Sequence, residues 1–113
     1  MRTTMMLALG LAALLLLGAP ARAADQAMMD MIGTAKTAAD HEALAASYAK
    51  QAEEARAHAA EHEAMAKTYA GSVREKLHFD QHCKAIAAYY RDIAKDLDAM
   101  AAAHRSLAKK AGK

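Results

Sequence analysis

The chain has 113 residues, 55% of them hydrophobic but only 4% aromatic, with 15 Lys and Arg against 13 Asp and Glu. That length makes one small domain, and a formal charge of +2 excludes the strongly basic surface that nucleic-acid binding needs. A single cysteine, Cys83, excludes an intramolecular disulfide framework.

The first element in chain order is a leader. Arg2 gives a positive start, Met5 to Leu17 is an apolar run, and Ala21-Arg22-Ala23 has the small-x-small pattern of a cleavage site. The pattern predicts a signal peptide over 1–23, export to a bacterial periplasm, and no stable membrane insertion after cleavage. The expected mature chain, 24–113, loses Arg2 and Arg22 and so carries 13 bases against 13 acids. Residues 24–34 follow as a flexible segment whose Met28, Met29 and Met31 pack loosely, with thioether binding of Cu(I) as the sharper reading.

Residues 35–70 contain no Pro or Gly and are rich in Ala, Glu, Lys, Gln and Leu, which predicts one long helix. Gly71-Ser72 breaks it. Gly71 suits a left-handed helix end, and Ser72-Val73-Arg74-Glu75 matches a capping box, which predicts a two-residue turn at 71–72 and a second helix over 73–111. So short a link folds the helices back antiparallel. The expected fold is all-α: an Ala-rich, coiled-coil-like, antiparallel two-helix hairpin over 35–113. Alanine fills 27 of the 90 mature positions, so a lone copy buries little large apolar surface; a homodimer forming a four-helix bundle is the expected remedy.

Taking His41 as heptad position a, His62, Cys83 and His104 follow at intervals of 21, three heptads each. Position d of the second helix reads Ile86, Ile93, Met100, Leu107, and position e reads alanine at 45, 52, 59 and 66 and again at 87, 94, 101 and 108. Tyr48 matches Tyr90 and His62 matches His104 at an offset of 42, which points to duplication of one helix. The opposed halves differ in charge: 24–63 carries eight acids against three bases, 64–113 ten bases against five acids.

Imidazole and thiolate suit borderline and soft ions. A hairpin folded at 72–73 sets His62 level with Cys83, and His41 level with His104, about 30 Å away. His62 and Cys83 are the first expected ligands, His58 and His82 the next, and His41 and His104 the last. Two copies aligned in parallel would bring two His62 and two Cys83 together as a tetrahedral site. Copper and zinc are the favoured ions. Haem is a lesser candidate, since the C-x-x-C-H attachment motif is missing. His58-Ala59-Ala60-Glu61-His62 matches the H-x-x-E-H string of inverted zinc peptidases, but the rest of the chain is too short to supply their third ligand and substrate cleft. The expected protein is therefore no enzyme. It is a small periplasmic metal binder acting in sequestration, delivery or sensing. The alternative is a metal-free structural or chaperone-like module that docks an envelope protein.

Overall fold

A computed structural model describes residues 19–72 and 76–113. The protein is helical, with α1 (Ala19–Thr34), α2 (Ala38–Ala70) and α3 (Phe79–Ala111), and the described residues contain no strand. The Met5 to Leu17 run and Val73, Arg74 and Glu75 of the expected capping box lie outside the described residues. Residues 24–34, expected to be flexible, lie within α1. No helix of the described residues is long and apolar enough to cross a membrane. α1 belongs to a unit ending at Gly33, while α2 and α3 make up a second unit, Thr34–Lys113.

α2 starts at Ala38, three residues later than its composition suggests, because Thr37 and Asp40 form a capping box. The backbone N–H of Asp40 donates to Thr37 Oγ1 (3.1 Å), and the N–H of Thr37 donates to Asp40 Oδ2 (2.9 Å). Lys36 N–H donates to the same carboxylate oxygen at 2.9 Å. Asp stands where Glu or Gln is usual, and it satisfies the same free donors.

The link between α2 and α3 differs from the expected two-residue turn. Ser72 helps close α2: its backbone N–H and its hydroxyl both donate to the Tyr69 carbonyl, at 3.1 and 2.9 Å. Gly71 has φ −90°, so it is not the left-handed residue. That conformation falls to His78 (φ 57°), from which α3 starts at Phe79, six residues later than expected. Histidine is among the few non-glycine residues enriched there.

α2 and α3 are both 33 residues long and pack closely, in opposite directions. Arg56 bonds Asp98 at 2.7 Å, Glu63 pairs with Arg91, and Tyr69 packs on Phe79. A Cβ placed on Gly112 would stand 3.9 Å from that of Ala38. The seam is alanine: Ala45, Ala52, Ala59 and Ala66 of α2 and Ala87, Ala94, Ala101 and Ala108 of α3 are all buried, one per heptad on each helix. Among the described residues Leu44 is the only large side chain wholly buried. Each buried methyl-sized group contributes only about 0.8 kcal/mol, so the seam depends on close approach of the backbones rather than on bulk.

Two outcomes follow. Ala52→Leu, at a position with no exposed surface, should cost about 1–3 kcal/mol in urea unfolding by forcing the helices apart, while Ala57→Leu on the exposed side should be nearly neutral. The Asp40 carboxyl is held below its ordinary range by the N–H groups of Lys36 and Thr37. Its stabilisation is therefore complete above the ordinary Asp pKa and is lost as pH falls through the lowered value. Asp40→Asn should narrow the gap in unfolding midpoint between about pH 7 and about pH 3; an unchanged gap would contradict this role.

Candidate metal centre

The alanine seam divides the helix pair into two faces. Position b, on one side, carries the cross-helix ion pairs Arg56–Asp98 and Glu63–Arg91. Positions a and d lie on the other side. None of them in α2 or α3 is Asp, Glu, Lys or Arg. All the histidines of the 21-residue ladder, with Cys83, occupy that uncharged face.

At the end far from the α2–α3 link, His41 and His104 meet. Their Nδ1 atoms are 3.1 Å apart, with ring centroids 5.3 Å apart and planes at 29°. Both rings are half-buried. Tyr48, buried, stacks on His104 at 5.6 Å and 14°. Two facing imidazole nitrogens can share one proton, one ring donating and the other accepting. They can also bind one ion. A tetrahedral ion with nitrogen ligands at about 2.0–2.1 Å spaces neighbouring nitrogens about 3.3 Å apart, so a small opening of the pair suffices.

Nearer the link, the same arrangement recurs with the helices exchanged. Tyr90 stacks on His62 at 5.9 Å and 17°, as Tyr48 stacks on His104. Each residue of one stack lies 42 positions from its counterpart. Arg56 and Asp98 are also 42 apart and bond each other, which marks the middle of this exchange. Under the same offset, His41 becomes Cys83. There the symmetry breaks: His104 Nδ1 faces His41, whereas the equivalent Nδ1 of His62 is buried with no hydrogen-bond partner among the described residues. Cys83 is buried and not disulfide-bonded.

His58 shares the Tyr90 ring with His62, whereas His82 stands apart. The His58 ring packs on Tyr90 at 5.0 Å, and its Nδ1 lies 3.2 Å from Glu61 Oε2. His82 is exposed and occupies position g, off the uncharged face. Among the described residues no three His, Cys, Asp or Glu side chains are grouped to hold an ion. One chain brings together the two nitrogens of His41 and His104, the pair that sequence reasoning ranked last. Its cross-helix contact follows from the heptad ladder.

No family model, curated protein or solved structure matches this chain.

Burial of Cys83 should slow its reaction with an aromatic disulfide reagent at least about tenfold relative to the urea-unfolded chain. Reaction at the unfolded rate would contradict its placement.

Proposed function

We propose that the mature chain is an exported, periplasmic helical hairpin whose copies pair into a four-helix bundle and bind a transition-metal ion, for sequestration, delivery or sensing. Export rests on the charged start, apolar run and small-x-small site of residues 1–23. Metal binding rests above all on the two Nδ1 atoms of His41 and His104, which face each other at 3.1 Å across two helices. His62 and Cys83 form the second candidate pair, supported by the unpartnered buried nitrogen of His62. Zinc and copper suit these donors.

An uncharged face also favours a second reading, a metal-free module that docks an envelope protein through positions a and d. Metal content separates the two. The mature protein, purified and reconstituted separately with zinc and with copper, should retain metal after gel filtration. His104→Ala should retain severalfold less, and Lys95→Ala should match the wild type. Less than about a tenth of an equivalent in the wild type would remove the metal reading in favour of the module.

A further inference from the structure

The His41–His104 pair supplies two ligands, and a closed tetrahedral shell needs four. The face that carries the pair is also unpartnered. Ile86, Ile93, Met100 and Leu107, one per heptad along α3, are 36–47% exposed, with no charge at any a or d position beside them. Helices of 33 residues give this face a length of about 50 Å. At two helices wide it offers roughly 1,000 Å², more than the about 800 Å² per partner of a standard interface. A covering surface must itself lack charge over that length, and this chain owns such a surface.

We infer that a second copy covers this face in the same direction, link end beside link end, and that His41, His104, the partner's His41 and the partner's His104 form one four-nitrogen metal site on the two-fold axis. This inference rests on the metal reading above.

Charge selects the alignment. α2 carries six acids and three bases, and α3 carries six bases and four acids. A two-fold axis along the helices sets each α2 against the partner's α3, acidic on basic. An axis across the helices sets α2 on α2 and α3 on α3, like on like. Each exposed pair matters little, but the preference has one sign along the whole length. Only the first alignment brings equal levels together, so only it places four imidazoles at one height. A site made of imidazole alone suits Zn(II) and Co(II), without the soft thiolate that would draw Cu(I) to Cys83.

Co(II) is the probe, because tetrahedral coordination gives it intense visible absorption. Under reducing conditions the mature chain should sediment as a dimer and take up one such ion per two chains. Ile93→Lys and Leu107→Lys, neither of them a ligand, should keep their helicity by circular dichroism, sediment as monomers and bind Co(II) at least about tenfold more weakly. His41→Ala should lose the visible band. Monomeric Ile93→Lys and Leu107→Lys that hold Co(II) as tightly as the wild type would overturn the shared site and leave the metal reading intact. A wild-type dimer that takes up no Co(II) or Zn(II), while Cu(I) still binds, would also overturn the site alone. A dimer that takes up none of the three would overturn both. A thiolate charge-transfer band undiminished in His41→Ala would place the ion at Cys83 and overturn the four-histidine site.

Discussion

Alanine at every seventh position, from Ala45 to Ala66 in α2 and from Ala87 to Ala108 in α3, is the constraint from which the rest of the helix pair follows. Only a methyl group separates the two backbones at each layer, so the helices close on each other along one narrow line. Among the described residues the large side chains buried beside that line are Leu44 and Tyr48, both near one end. Positions a and b are thereby set on opposite sides of the seam, and the sequence uses the two sides differently. Guanidinium and carboxylate groups bridge the helices at b. Imidazole, phenol and thiol groups sit at a, with aliphatic side chains beside them at d on α3. The chemistry of the face is a consequence of the packing of the seam.

The 42-residue offset adds a second level of order. Exchange of the two helices maps one Tyr–His stack onto the other, and it leaves the Arg56–Asp98 bridge in place. Against that background the pairing of His41 with Cys83 is the informative departure. It turns two equivalent positions into one with two imidazole nitrogens and one with an imidazole nitrogen and a thiol. Donor softness thus differs between two ends that share the same scaffold. The unpartnered nitrogen of His62 lies at the end where the departure occurs.

Much of this was legible in the residue pattern. The absence of Pro and Gly over 35–70, the heptad run of alanine and the level meeting of His41 with His104 all follow from spacing alone. The ends of the helices were harder. Thr37-Ala38-Ala39-Asp40 carries a capping signal, but Asp in place of Glu makes it easy to pass over. At the link, the donation of Ser72 to the end of α2 carries no clear sequence signal. Histidine is only one of several residue types favoured in the left-handed region, so the sequence does not single out His78 for it. Which rings meet across the helices depends on ring geometry. His58 and His82 crowd the Cys83 level in number, yet one turns to Glu61 and the other points away from the face.

The central claim is that the uncharged face is closed by a second copy running in the same direction. Its most direct measurement is an inter-copy distance. A spin label on Cys introduced at Lys109, an exposed position of α3 off that face, with Cys83 replaced by Ser, reports that distance by double electron–electron resonance. Copies running in the same direction should give a single population at about 20–30 Å, set by helix spacing and the label arms. A population near 50 Å, the length of a 33-residue helix, or no inter-copy distance at all would contradict the account.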